Sequence, residues 1–233
     1  MRTLHYLSLL VLVTTLLLTG CGPAAPGETG SEIVEADEVA ALLADGAVLI
    51  DAQGGLDYNK GHIEGAIGIS RADIVVNEPY PNMLAPAAQI EKVFSSRGIG
   101  NDTEVVIYDN NKNMDSARLW WTFKYYGHDA VKVVSGGFMA LQEAGFAVST
   151  EKPQVAGVEF SATEERTAMI ADRNEIKKVV DEAPQSAVLI DTRTEEEYNE
   201  GTIPGSVLLD FTGNNFPDGT YKPVRQIRIR YLE

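Results

Sequence analysis

Cysteine and histidine are scarce in this chain of 233 residues, and their scarcity limits its chemistry. Cys21 is the single cysteine, so no disulfide can form within one chain. The three histidines, His5, His62 and His128, lie far apart in the sequence. No Cys/His cluster has the spacing of metal ligands. We therefore predict no metal site and no cofactor, and we interpret His62 and His128 as structural residues that form hydrogen bonds.

Basic residues are also few, with 19 Lys and Arg against 34 Asp and Glu and a formal net charge of -15. Removal of residues 1–20 would take away Arg2 and no acid, which leaves 18 basic residues against 34 acidic ones. An acidic surface repels nucleic acid and anionic lipid. We therefore predict no nucleic-acid partner, and we expect any membrane contact to depend on a lipid anchor.

The longest apolar run, Leu7–Leu18, is shorter than the ~20 residues that a membrane-spanning helix needs. It follows Arg2, as a signal-peptide core does, and ends in Leu18-Thr19-Gly20-Cys21. This end resembles a bacterial lipobox, which implies cleavage before Cys21 and lipidation of its thiol. We expect a signal peptide over 1–20, a tether over 21–34 and a lipid anchor on the extracytoplasmic face of the cell membrane. The alternative is an ordinary secretory signal with an incidental cysteine.

One sequence pattern occurs twice. Residues Ala47–Ile69 align without a gap with Ala187–Leu209 at an offset of 140, and 10 of the 23 positions are identical. A repeat of domain size indicates two copies of one fold. We predict a first domain over 35–148, a linker over 149–170 and the N-terminal part of a second domain over 171–233.

Each copy alternates apolar runs with amphipathic segments, which predicts an α/β fold with a parallel sheet flanked by helices. The predicted strands are Ala47–Asp51, Gly65–Ile69, Glu104–Tyr108 and Val131–Val134, then Ala187–Asp191 and the region Gly201–Leu209. The predicted helices are Asp37–Ala44, Pro86–Arg97, Met114–Tyr126 and Phe138–Ala144, then one that opens at Asp172 and another over Pro223–Leu232.

Ligands of parallel α/β sheets bind at the carboxyl ends of the strands. In the first copy this place is a loop of Asp109, Asn110, Asn111, Lys112 and Asn113 that leads into a helix. Backbone N–H groups of such a loop form a cradle for an anion. A plainer interpretation is that Asp109 caps the following helix or bonds to its own loop.

These segments together resemble the rhodanese superfamily, specifically the tandem-domain thiosulfate and 3-mercaptopyruvate sulfurtransferases. The matching segments are AVLIDAQ…GHIEGAI, VVIYDNN…SARLWWTFKYYGH, VKVVSGGFMAL and VLIDTRTEEEYNEGTIPGSV. The resemblance implies two rhodanese-like domains, with a cysteine in the second domain that takes sulfane sulfur from a small anionic donor. The persulfide then passes that sulfur to a thiophilic acceptor. In the family the first domain is silent, with Asp at the cysteine position, and Asp109 matches that pattern.

The chain also departs from the family. The offset of 140 places the second active loop near position 249, beyond Glu233. We therefore expect a C-terminally incomplete fragment of a membrane-anchored sulfurtransferase that lacks the catalytic cysteine loop, and we assign no catalytic residue. Arg193 follows the family pattern, whereas Thr202 stands where the first copy has His62. Glu197 stands where some family members carry a substrate-binding arginine, which argues against thiosulfate specificity. The alternative function is a catalytically inactive module that binds an anion or a partner.

Three further sets of residues carry hypotheses. Asp51 and Asp191 recur at the ends of equivalent strands, which favours a structural hydrogen-bonding role over catalysis. Trp120 and Trp121 lie on a helix that is apolar all round, as core residues do. Arg118 faces either a domain interface or a salt-bridge partner.

Overall fold

A parallel sheet forms the centre of the first copy. The computed structural model describes residues 32–184, 186–223 and 226–227. The strands of the first copy are β1 (Ile33–Val34), β2 (Val48–Asp51), β3 (His62–Ile63), β4 (Ile67–Gly68), β5 (Val75–Val76), β6 (Met83–Leu84), β7 (Val105–Tyr108), β8 (Val131–Val134) and β9 (Val148–Ser149). Five of them make one sheet in the order β1-β8-β7-β2-β4, and every neighbouring pair in it is parallel.

Helices cover both faces of this sheet. They are α1 (Val39–Ala44), α2 (Gly55–Lys60), α3 (Ala87–Ser96), α4 (Met114–Tyr125) and α5 (Gly137–Glu143). Phe94 of α3 and Phe123 of α4 belong to one apolar cluster, whereas Val39 of α1 and Leu141 of α5 belong to another. Side chains of β7 enter the two clusters alternately, since successive strand residues point to opposite faces. The predicted α/β fold is confirmed.

The segment between the two copies packs against the first. From 150 to 166 it contains no helix or strand, and a short 3-10 helix, Thr167–Met169, follows. Its Phe160 is buried and meets the ring of Phe94 edge to face at 5.0 Å between centroids. The backbone N–H of Phe160 donates to Ser95 Oγ at 3.0 Å. The apolar anchor and this hydrogen bond fix the path of the linker over α3.

The second copy repeats the first in register. Its elements are α6 (Arg173–Glu182), β10 (Ile190–Asp191), α7 (Glu195–Glu200) and β11 (Val207–Leu208). Ile190 pairs with Val207 in a parallel ladder, as Ile50 pairs with Ile67 in the first copy. Both partners are displaced by the same 140 residues, so the sequence repeat is a structural repeat. The predicted capping box at Asp172 is also present, with Glu175 as its partner.

Two predictions for the second copy need correction or remain open. The predicted strand Ala187–Asp191 shortens to β10 because, within the described residues, β10 pairs with β11 alone, whereas β2 pairs with strands on both sides. Its Val188 is 70% exposed as a result. The predicted helix Pro223–Leu232 lies mostly outside the described residues. Within that range the structure describes 223, 226 and 227, and residues 226–227 are helical.

A hydrogen-bonded group ties β2, β7 and β3 together. The buried carboxylate of Asp51 accepts from the hydroxyl of Tyr108 at 2.6 Å and from the backbone and side-chain nitrogens of Gln53 at 2.8 and 2.7 Å. The Tyr108 hydroxyl in turn accepts from the N–H of Ile63 at 2.8 Å. Burial raises the pKa of Asp51, although these donors oppose that effect. The predicted structural role of Asp51 is confirmed.

Among the residues that the structure describes, no helix is both long enough and apolar enough to cross a bilayer. The predicted signal peptide, the tether residues up to 31 and Cys21 lie outside the described residues.

We predict that Tyr108→Phe lowers the free energy of unfolding by about 2 kcal/mol, because a buried N–H and a buried carboxylate each lose a partner. Urea denaturation would measure the change. Tyr80→Phe is the matched control, since Tyr80 is 64% exposed. Equal midpoints for the two variants would show that the hydroxyl of Tyr108 contributes nothing.

Candidate functional site

The candidate site lies where β7 ends and the chain turns into α4. Asp109 follows β7 directly, and Asn110, Asn111 and Lys112 are exposed. Lys112 and Asn113 both adopt left-handed backbone conformations, with φ of 52° and 64°. Such consecutive conformations curl the chain into a concave loop whose N–H groups point inward.

Asp109 fills this concave loop with its own carboxylate. Oδ1 accepts from the N–H groups of Asn111 and Asn113 at 2.7 and 3.0 Å. Oδ2 accepts from those of Asp115 and Ser116 at 2.8 and 2.7 Å. The side chain is only 1% exposed. The anion cradle predicted from the sequence is therefore present, and Asp109 both caps α4 and bonds its own loop.

The start of α5 holds the backbone of Asp109 from the other side. The N–H of Phe138 donates to the Asp109 carbonyl oxygen at 2.8 Å. Gly137 has a φ of +55°, and a Cβ atom there would lie 2.2 Å from the same oxygen. Only glycine fits this approach, which explains the Gly136-Gly137 pair after β8.

A turn from the second copy covers the loop. Asn215 and Tyr221 form an isolated antiparallel bridge around this turn. The side-chain nitrogen of Asn113 donates to the carbonyl of Gly219 at 3.0 Å, and that of Asn215 donates to the carbonyl of Lys112 at 3.1 Å. Burial, together with the nearby charge of Asp109, raises the pKa of Tyr221. The two copies therefore meet at the predicted site.

An open groove of about 610 Å³ flanks the loop on the side of α4. Its lining includes Arg118 and Trp121, together with Arg71 and Asn82. Arg118 donates to the Asn82 carbonyl oxygen and lies over the Trp121 ring at 5.0 Å from its centroid. Arg71 and Asn82 are not predictable from the sequence as groove residues, since no local motif links them to a loop that follows a different strand.

Trp120 and Trp121 have different surroundings. Both are partly buried against the apolar cluster of that sheet face, as the core hypothesis requires. Trp121 also lines the groove. Within the described residues Arg118 has a carbonyl and a ring as partners, and the salt-bridge alternative for Arg118 is not observed there.

In the second copy, Asp191 is bonded to both Arg193 and Thr202, which also stand out in the sequence. Arg193 Nη2 pairs with Asp191 at 2.6 Å, and Thr202 Oγ1 donates to the same carboxylate at 2.8 Å. These bonds lower the pKa of Asp191. Glu197 accepts from Thr194 in a capping box at the start of α7. The carboxylate of Glu197 thus serves the helix end, and the acidic run of α7 is a capped helix start.

The histidines have structural surroundings. His62 stacks on Tyr58 with ring centroids 4.0 Å apart, and its ring nitrogens face the carbonyl oxygens of Tyr58 and Glu151 at 2.9 and 3.1 Å. His128 packs beside Phe123, and burial lowers its pKa. Both ring nitrogens of His128 are buried without a hydrogen-bond partner among the described residues, so the predicted hydrogen-bonding role is observed for His62 but not for His128. Across the described part of the chain, no three His, Cys, Asp or Glu side chains are grouped as metal ligands.

A parallel sheet covered on both faces, with a closed loop after its central strand, defines an α/β domain whose candidate site lies at the carboxyl ends of the strands. The Rhodanese-like domain family matches residues 35–144 and 172–228. This chain belongs to that family.

Curated relatives carry one recurrent name. "Putative thiosulfate sulfurtransferase" of Mycolicibacterium smegmatis is 28% identical over 193 residues, which cover 76% of this chain and 68% of the relative. The protein of the same name from Haloferax volcanii is 27% identical over 191 residues, covering 76% of this chain and 65% of that protein. The chain thus spans about two thirds of the length of these relatives.

Solved structures share the fold. SseA of Escherichia coli, a 3-mercaptopyruvate sulfurtransferase, superposes with a TM-score of 0.78 at 21% identity, over 86% of this chain and 82% of that chain. The 3-mercaptopyruvate sulfurtransferase of Leishmania major gives 0.70 at 22% identity, over 89% and 63%. The match extends across both copies, so their arrangement is that of the tandem fold.

We predict that Asp109→Asn lowers the free energy of unfolding by about 3 kcal/mol, because a side-chain NH₂ would replace one of the two oxygens that accept the loop N–H groups. Chemical denaturation followed by circular dichroism would measure the loss. Asp45→Asn removes the same charge from an exposed residue and should change stability by less than about 0.5 kcal/mol. Comparable losses in both variants would contradict the role assigned to Asp109.

Proposed function

We propose that this protein is a lipid-anchored sulfurtransferase that acts on thiosulfate or 3-mercaptopyruvate, with the first rhodanese-like copy serving as a silent scaffold. The observation that carries the proposal is the occupied loop at Asp109, in a chain whose relatives are named for thiosulfate sulfur transfer.

The first copy has no means of carrying sulfur. Sulfane-sulfur transfer needs a thiolate that attacks the donor, and the carboxylate of Asp109 is not such a nucleophile. Asp109 also takes the four N–H groups that would otherwise stabilise a bound anion. The loop therefore supports the contact with the second copy.

The proposed chemistry resides in the second copy. A cysteine thiolate would attack the outer sulfur of thiosulfate, form a new S–S bond and release sulfite with the electron pair of the broken bond. An acceptor thiolate would then attack the persulfide sulfur and free the cysteine. We propose that this cysteine lies near position 249, because Asp109 plus the offset of 140 falls there. The shared register of β10–β11 and β2–β4 supports this assignment.

A catalytically inactive binding module is the second candidate function, favoured by the same loop. The occupied cradle changes how this candidate is tested. If Asp109 were part of an anion receptor, Asp109→Ala would weaken anion binding. In this structure the substitution would instead remove the carboxylate that fills the cradle and free the four N–H groups of the loop. A module of this kind would therefore bind a protein partner through its surface and not an anion through the loop.

We predict that the coding region continues in frame past codon 233 into a strand that ends in cysteine. The protein encoded by that longer frame should transfer sulfur from thiosulfate to a thiol, and prior treatment with iodoacetamide should abolish the transfer. The 233-residue chain, which holds only Cys21, is the matched control and should show no turnover. A stop codon directly after Glu233, or a longer protein that shows no turnover, would leave the binding module as the better account.

The lipid anchor gives a separate prediction. Cys21→Ser removes the thiol that would carry the lipid, so the variant should lose radiolabelled fatty acid. The wild-type chain should label and sediment with membranes. Met114→Leu serves as a control for handling, because the substitution keeps Cys21 intact and affects a half-exposed side chain. Unlabelled wild-type protein would overturn the anchor and leave the secretory-signal alternative.

A further inference from the structure

The groove beside the Asp109 loop carries a local positive charge in an acidic chain. Arg71 and Arg118 both line it, and Asp115 is the only carboxylate that the described residues contribute to the lining. The chain as a whole has a net charge of -15. The groove is therefore net positive on a protein that is acidic overall. It should attract small anions in preference to large ones, because the acidic surface around it repels a polyanion.

The single carboxylate is already engaged. Asp115 Oδ1 accepts from Arg71 Nε at 2.8 Å, and Oδ2 accepts from the side-chain nitrogen of Asn111 at 2.9 Å. Arg71 Nη2 donates to the carbonyl of Met114 at 3.2 Å. One guanidinium is thus held by one carboxylate, which leaves the charge of Arg118 without a counterion among the described residues.

Arg118 is the side chain that an anion would satisfy. Its Nε is buried without a hydrogen-bond partner in the described part of the chain, and its Nη2 donates to the neutral carbonyl of Asn82 at 3.0 Å. Burial, and then the charge of Arg71, lower the pKa of Arg118. A partly buried guanidinium without a counterion is costly, and a bound anion would offset the cost.

The groove is distinct from the cradle of the loop. The four N–H groups of the loop are occupied by Asp109, so an anion in the groove would meet side chains only. Trp121 supplies an apolar wall, and its ring already holds the guanidinium of Arg118 in place. Planar guanidinium groups suit oxyanions, which accept two parallel N–H bonds.

We propose that Arg71 and Arg118 form a binding site for a small oxyanion, a carboxylate or a sulfur oxyanion, against the face of Trp121. This inference goes beyond the proposed function and does not depend on it. The bound ion would occupy the groove that opens next to the contact between the two copies, where it would neutralise the surplus charge of Arg118.

The test is a titration of the whole chain with sodium thiosulfate, sulfate or pyruvate at constant ionic strength, followed by tryptophan emission and by calorimetry. Trp121 touches Arg118, so binding should shift the emission. Thiosulfate and sulfate report a sulfur oxyanion and pyruvate reports a carboxylate. We expect saturation with at least one of them.

Variants separate a built site from general charge attraction. Arg118→Gln should weaken binding at least about tenfold, and Arg118→Lys should have an intermediate effect, because it keeps the charge but loses the planar fork. Asp115→Asn should strengthen binding, since it removes the competing carboxylate while an oxygen remains for Arg71. Arg173→Gln is the matched control, because Arg173 is exposed on α6, and it should leave the affinity within about twofold.

Three results would overturn the site: no saturable signal with any of the three anions, equal weakening by Arg118→Gln and Arg173→Gln, or weakening by Asp115→Asn. Thermal melts of each variant would show that it folds. If Arg118→Gln does not fold, Arg118→Lys still tests the site. Because no sulfur transfer is measured, failure here leaves the proposed enzyme activity standing, and failure of that activity leaves this site standing.

Discussion

The carboxylate of Asp109 is the interaction on which the first copy's site depends. It closes the loop after β7 by accepting four backbone N–H groups while almost fully buried. A charged acceptor is favourable there because the loop amides and the start of α4 direct partial positive charge at one point. The same geometry would bind a foreign anion if the protein did not supply its own. The turn around Gly219 contacts the loop closed in this way.

The two copies share one backbone arrangement but satisfy the aspartate at the end of the equivalent strand with different hydrogen-bond donors. Asp51 and Asp191 end equivalent strands, but Asp51 is satisfied by a buried tyrosine, whereas Asp191 is satisfied by Arg193 and Thr202. The difference follows from burial. Asp51 is fully buried between β4 and β7, where the neutral hydroxyl of Tyr108 donates to it, and burial raises its pKa. Asp191 lies near the surface, where an arginine reaches it and lowers its pKa.

Charge distribution links the site to the proposed functions. The chain is acidic overall, yet the groove next to the loop contains two arginines and one carboxylate. The proposed oxyanion site needs no nucleophile in the first copy, because binding needs only charge and shape, whereas sulfur transfer needs a thiolate. Cys21 lies outside the described residues, and its proposed task is attachment to the membrane.

The sequence by itself determined the repeat, the α/β class, the buried central strand before Asp109 and the cap at Asp172, because each follows from local periodicity or from contacts within a few residues. The cradle and its occupant could also be predicted, since Asp109 and its donors are close in sequence. Only the tertiary structure brought Arg71 to Arg118, shortened the strand at Asp191 and set the turn of the second copy on the loop. Those outcomes depend on contacts between distant segments, and no local pattern records which segments will meet.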